Sequence, residues 1–364
     1  MNEYPIGLVP GPVSVPREIM ESWLTDFGSA DLEPEFFELY AENQKLLQKL
    51  LGTEESVVIT SGEAMSILWG SLKSVLKPGE KILAVASGLF GEGFADMAKS
   101  IGMKTDTVAA EYNSLPDPRK IREAALRFRP NMITAVHCET PSGTLMPLKV
   151  LGEIAREVDA LFLVDFVASG GGVAVDVDAN GIDIGLLGSQ KVLSMPPSLS
   201  MTTISARAWD VMEKVGYCGY DSYLPWRTVP EVPATPYTHD WHGMTALNRS
   251  LSSIMKEGME NVFARHSQVA SLCRKLALEI GIELFPLNEE ICSPTVSAFH
   301  VPKGWTWKEF DAALRSRGLV VGGNYGRLAG KVFRVGHMGS QADETLVTRG
   351  MEIVKDTLAA QHIC

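Results

Sequence analysis

Val57-Val58-Ile59-Thr60-Ser61-Gly62-Glu63-Ala64-Met65 decides the fold. A short β-branched run passes through a turn of small residues into apolar positions at helical spacing, from about Ala64 to Leu76, so the stretch reads as strand, turn and helix. Further strand-like runs cover Lys81 to Ala86, Met132 to His137, Leu161 to Val164, Ile182 to Leu187 and Leu199 to Ile204. Several are continuously apolar, as in strands covered on both faces, and helical patterns lie between most of them. The alternation predicts an α/β chain with a mostly parallel, doubly wound sheet and a ligand site at the carboxyl ends of its strands. Glu63, Thr140 and Asp165 fall at that edge.

Tyr217 to Thr238 is rich in Pro, Tyr and Trp and has no periodicity, so a long functional loop is expected there. Met244 to Met259 and Val262 to Ile280 then show helical spacing. The remainder reads as a smaller α+β lobe, with strand-like Thr295 to Val301 and Val332 to Val335 and helical Lys308 to Arg317 and Asp343 to Ala359.

The 364 residues suffice for a large core in two unequal lobes. A net charge of −11, with Lys and Arg scattered, argues against a surface for nucleic acid or anionic membrane, leaving small molecules and other subunits as partners. Five cysteines, Cys138, Cys218, Cys273, Cys292 and Cys364, are odd in number and lack Cys-x-x-Cys spacing, as expected of reduced thiols in a cytoplasmic protein. Met-Asn-Glu-Tyr-Pro does not open a signal sequence, and no uncharged run reaches transmembrane length. His137, His239, His242 and His337 lack ligand spacing, so no metal is expected. Gly170-Gly171-Gly172 lacks a dinucleotide fingerprint and reads as room for tight chain packing.

Lys191, in Gly188-Ser189-Gln190-Lys191, follows Asp165 by 26 residues (191 − 165), and each ends or follows a short apolar run. Singly they could be a solvated loop lysine and a strand-end aspartate. Together they are what a pyridoxal enzyme needs: an amine that forms a Schiff base with an aldehyde, and a carboxylate that keeps the pyridine nitrogen protonated.

Leu8-Val9-Pro10-Gly11-Pro12, Ala86-Ser87-Gly88-Leu89-Phe90-Gly91, Glu139-Thr140-Pro141-Ser142-Gly143-Thr144, Val164-Asp165, Gly188-Ser189-Gln190-Lys191 and Phe333-Arg334-Val335-Gly336 occur in an order that resembles the class V aminotransferases. Within that family the likeness is to the alanine-glyoxylate and serine-glyoxylate branch, and most of all to its pyridoxamine–pyruvate members. The resemblance implies a fold-type I enzyme with an N-terminal arm (1–20), a large coenzyme-binding domain with a seven-stranded sheet (21–255) and a small C-terminal α+β domain (256–364). It implies a homodimer or a dimer of dimers with shared active sites. Lys191 would carry the Schiff base and shuttle a proton, Asp165 bind the ring nitrogen, Phe90 stack on the ring and Thr140 lie beside it. Glu63, Ala64, Gln190 and Tyr237 would complete the coenzyme site, Gln190 at a phosphate-holding position. Arg334 would grip the substrate carboxylate with a two-pronged bond, with Gly11 and Arg327 near it.

One departure stands out. Relatives carry a Ser/Gly/Thr-rich turn whose amides cradle the phosphate of pyridoxal phosphate, whereas this turn reads Thr60-Ser61-Gly62-Glu63-Ala64-Met65. Glu63 there would repel a phosphate and satisfy the helix-end amides itself; the plain alternative is a carboxylate pointing to solvent. Asp240, in Tyr237-Thr238-His239-Asp240, is a second acid near that region, or simply a helix cap. The expected reaction is amino transfer between pyridoxamine and pyruvate, giving pyridoxal and L-alanine, with the vitamer bound as a substrate. Its alternative is a pyridoxal-phosphate-dependent aminotransferase of the alanine/serine-glyoxylate type. A non-enzymatic pyridoxal carrier would not need Lys191, Asp165 and Arg334 together. Ala30 to Pro34 is left without a role.

Overall fold

A computed structural model describes residues 4–361, so Cys364 lies outside the described residues. The large sheet contains β1 (Ser56–Ser61), β2 (Lys81–Ala86), β3 (Lys104–Ala109), β4 (Met132–Val136), β5 (Leu161–Asp165), β6 (Ile184–Gly188) and β7 (Leu199–Ile204). Its spatial order is β1-β7-β6-β5-β4-β2-β3, with β7 antiparallel to both neighbours and the other pairings parallel. Every residue of β4, β5, β6 and β7 is buried, in keeping with the mostly apolar runs of β4, β5 and β6, while β7 also buries Ser200, Thr202 and Thr203. The sequence expectation began β6 at Ile182. In the structure the Asp183 carboxylate instead accepts from the Phe162 amide at 2.8 Å and the Ser205 hydroxyl at 2.9 Å, and pairing starts one residue later.

The helix Met65–Val75 follows β1 and buries Ile67, Leu68, Leu72 and Val75 against the sheet side of the core. Trp241–Glu257 begins where Asp240 caps it, its carboxylate accepting from the Gly243 amide at 2.9 Å. Tyr217 to Thr238 is irregular except for one 3-10 turn at Leu224–Trp226. Among the described residues, the two largest core clusters divide between the lobes. The larger lies about the seven-stranded sheet, and the smaller joins Phe299, Phe310, Phe333 and Val347 of the C-terminal lobe. Helix Met259–Glu279 runs through both, with Val262 in the first and Val269 in the second. The strand Ile6–Leu8 belongs to the smaller cluster: it pairs in parallel with Leu319–Val321 of that lobe.

No helix among the described residues is long and apolar enough to cross a membrane, and none of their His, Cys, Asp and Glu side chains group as a metal site. Cys138, Cys218, Cys273 and Cys292 are free thiols.

Candidate active site

The carboxyl ends of β1, β2, β4, β5 and β6 deliver Glu63, Phe90, Thr140, Asp165 and Lys191 to the same edge. β1 is followed by Gly62, whose φ of +128° favours glycine and whose amide donates to the Ser198 carbonyl at 2.7 Å. The turn then presents Glu63. One of its oxygens, Oε2, accepts from the Met65 amide at 2.8 Å, and Oε1 accepts from Gln190 Nε2 at 2.7 Å. The carboxylate thus holds both an amide at the helix N-terminus and the residue before the lysine, as the dipole of that helix favours.

Asp165, at the end of β5, is buried, and its Oδ1 accepts from the Val167 amide at 2.8 Å. Burial pushes its pKa up to about 6, against the pull of that amide and of Lys191. Lys191 follows β6 and donates from Nζ to the Pro10 carbonyl at 2.6 Å. Burial lowers its pKa to about 8 and the Arg334 charge adds to this, while Cys138, Asp165 and Glu63 act in the opposite direction.

These groups enclose a cavity of about 330 Å³, lined by Gly11, Glu63, Ala64, Phe90, Thr140, Asp165, Gln190 and Lys191 among others. Gly11 is required by space as well as by its φ of +104°, since a Cβ there would lie 2.4 Å from Lys191 Nζ. Arg334, on the strand Val332–Gly336, is buried just beyond this wall. Its Nε and Nη2 both donate to the Gly323 carbonyl, at 2.8 and 2.5 Å, which leaves the outer edge of the fork for a carboxylate.

Arg327 and Tyr237 do not line the cavity of their own chain. Arg327 pairs with Glu92 and lies over the Tyr112 ring, 4.0 Å from its centroid. Tyr237 stacks on Tyr220 at 4.3 Å. Asp240 takes its plainer reading, a helix cap.

Three contributors escaped the sequence reading. Glu139 is fully buried, and its two oxygens accept from the Phe90 and Gly91 amides, each at 3.0 Å, bracing the start of the helix Leu89–Ser100 that carries Phe90. A Cβ at Gly88 would lie 2.2 Å from Glu139 Cγ, so the two residues come as a pair. Burial raises the Glu139 pKa to about 7. A signal existed: a helix opening on Gly88-Leu89-Phe90-Gly91 has no side-chain cap of its own, and its free amides need an acceptor from elsewhere. Cys138 lines the cavity, its thiol donating to Ser293 Oγ at 3.1 Å. The Pro10 carbonyl is a backbone group, invisible to residue-type reasoning.

A partly neutralised buried amine facing a buried carboxylate across an aromatic-walled cavity, at the carboxyl edge of this sheet, defines a fold-type I pyridoxal enzyme. The residues fit a pyridine ring. Asp165 Oδ2 has no hydrogen-bond partner among the described residues, Phe90 and Val167 supply apolar walls, and the volume lies in the range of small-ligand sites. The chain belongs to the class-V aminotransferase family, whose model matches residues 22–334. It is an aminotransferase, and the family's fold implies pyridoxal phosphate as coenzyme.

The chain is 34% identical over 340 residues to an uncharacterised aminotransferase of Methanocaldococcus jannaschii, covering 91% of this chain and 87% of the relative. It is 30% identical to the pyridoxamine–pyruvate transaminase of Mesorhizobium japonicum, covering 94% and 90%. The crystal structure of an alanine–glyoxylate aminotransferase from Nostoc sp. superposes with a TM-score of 0.93 at 28% identity, covering 98% of this chain and 96% of that one.

Proposed function

We propose that this aminotransferase moves an amino group between pyridoxamine and pyruvate, giving pyridoxal and L-alanine, with the unphosphorylated vitamer bound as a substrate. The observation that carries the reading is Glu63, which already accepts from the Met65 amide and Gln190. A phosphate dianion brought to about 4 Å from that carboxylate meets repulsion of about 1 kcal/mol per unit of phosphate charge at the dielectric of water and about 4 kcal/mol per unit at an effective value near 20. A neutral hydroxymethyl group instead donates a hydrogen bond to it. The likeness to the Mesorhizobium japonicum transaminase is in line with this.

Each residue then has a task. The pyridine ring, when bound, supplies an electron sink. Asp165 Oδ2 holds the proton on the ring nitrogen, and Phe90, braced by Glu139, fixes the ring plane. Lys191, with a pKa near 8, is neutral often enough at physiological pH to attack an aldehyde and, once released, to move a proton at the substrate α-carbon. Arg334 binds the carboxylate of the oxo acid and orients it toward the amine. We further propose a homodimer, or a dimer of dimers, with sites shared between subunits, and a cytoplasmic location in keeping with the free thiols. Light scattering that returned a monomer mass at working concentration would remove the first of these.

The second reading is a pyridoxal-phosphate-dependent enzyme of the alanine/serine-glyoxylate type, favoured by the likeness to the Nostoc structure. Absorbance titrations of the wild type and Glu63→Ser against pyridoxal and pyridoxal phosphate separate the two. The substitution should raise affinity for the phosphorylated form tenfold or more, equivalent to about 1.4 kcal/mol, and leave affinity for pyridoxal level or lower. A wild type that prefers pyridoxal phosphate, or an unchanged ratio in the variant, selects the second reading.

A further inference from the structure

The loop Gly322 to Leu328 leaves the small lobe and settles on the large one, and Arg327 is the one cation within it. Its Nη2 is paired with Glu92 Oε1, its guanidinium plane rests over the Tyr112 ring, and the Tyr112 hydroxyl donates to the other oxygen of Glu92 at 2.6 Å. The guanidinium is therefore held on one edge and one face, by an acid that is itself held. Glu92 stands two residues after Phe90 in the helix Leu89–Ser100.

We propose that Arg327 is a positioning residue: it latches the loop that orients Arg334 to the helix that carries Phe90, and it does not itself bind the substrate. The proposal rests on the reading of Arg334 as the carboxylate clamp. Arg334 takes its orientation from this loop, since Nε and Nη2 both donate to the Gly323 carbonyl and its guanidinium lies 5.1 Å from the Tyr325 ring centroid. Asn324 Nδ2 adds a second tether, donating to the Pro141 carbonyl at 2.7 Å, directly after Thr140. Leu328 shares an apolar cluster with Tyr112 and Leu89 of the large lobe. The loop thus ties the clamp for the oxo acid to the two residues set beside the ring. A direct role for Arg327 would require it to leave both Glu92 and Tyr112.

The latch is half exposed, so its loss should loosen the loop without unfolding the protein. Steady-state kinetics of Arg327→Gln, Glu92→Gln and the charge exchange Arg327→Glu with Glu92→Arg test it, together with amide hydrogen exchange of residues 322–328. Arg334→Lys serves as the reference for the clamp. Each single change should raise the KM for pyruvate about fivefold, the factor matching about 1 kcal/mol. The KM for pyridoxamine, which has no carboxylate, and kcat should stay within about twofold, exchange in the loop should quicken, and the charge exchange should recover part of both effects. If Arg327→Gln raises the KM for pyruvate as much as Arg334→Lys while Glu92→Gln does nothing, Arg327 is a direct ligand and the proposal fails. Unchanged KM and unchanged exchange in both single variants also overturn it. An Arg334→Lys variant with a normal KM for pyruvate would instead refute the clamp, while the exchange measurements still judge the latch.

Discussion

The ionisation of Lys191 sets a measurable boundary on catalysis. Its pKa falls from 10.5 to about 8, which corresponds to about 3 kcal/mol of preference for the neutral amine. At pH 7.5 an unperturbed lysine is neutral about 0.1% of the time, whereas one with a pKa of 8 is neutral about 24% of the time, a gain of about 200-fold in reactive amine. The assay is stopped-flow absorbance on mixing coenzyme-free protein with excess pyridoxal between about pH 6 and pH 10. The capture rate should climb about tenfold per pH unit, bend near 8 and level off above it. In Arg334→Gln the bend should move upward because a repelling charge is gone, yet stay below 10.5 because burial, the larger cause, remains. A wild-type rate still rising at pH 10 would refute the reasoning, as would a bend that ignores Arg334.

Asp165→Asn should cut kcat by about 100-fold or more, since an amide cannot keep the ring nitrogen protonated. The same change should stabilise the coenzyme-free protein. The folded pKa of about 6 lies above the usual aspartate value, so the native state favours the protonated form, and stability is lost as pH rises from about 4 to 6. At pH 7 the relief from removing the carboxylate is at most about 3 kcal/mol, read as a higher Tm; a lower Tm would contradict the assignment. Gly11→Ala should slow pyridoxal capture at least about tenfold with circular dichroism unchanged, because the new Cβ would sit 2.4 Å from Lys191 Nζ. Capture at the wild-type rate would show that the Pro10–Pro12 turn can move aside.

Much of the large sheet was legible because its central strands are buried on both faces and so are written in apolar runs. Edge strand β3 was not, since Lys104–Ala109 is half exposed and carries Lys, Thr and Asp, with no run to detect. The lysine, the aspartate and Glu63 were legible because their chemistry is specific to side chains at strand ends. Arg327 shows the opposite limit. The family resemblance places it beside Arg334, whereas the structure pairs it with Glu92 and sets it over Tyr112, more than two hundred residues earlier, contacts that its place in the chain does not report. Glu139 and the Pro10 carbonyl act through hydrogen bonds between segments far apart in the chain, which residue type alone does not report.

The pairing of Ile6 with Leu319 spans 313 residues (319 − 6), and the carbonyl that steadies Lys191 lies just beyond that strand, at Pro10. At ribosomal speeds of about 5–20 residues per second, the first strand waits from about 15 s to about a minute before its partner is synthesised. Until then the large sheet can close, but the lysine has no fixed direction. The nascent enzyme would therefore be held inert by the order in which its segments emerge, acquiring an aimed amine only when the C-terminal lobe arrives to dock its own opening residues.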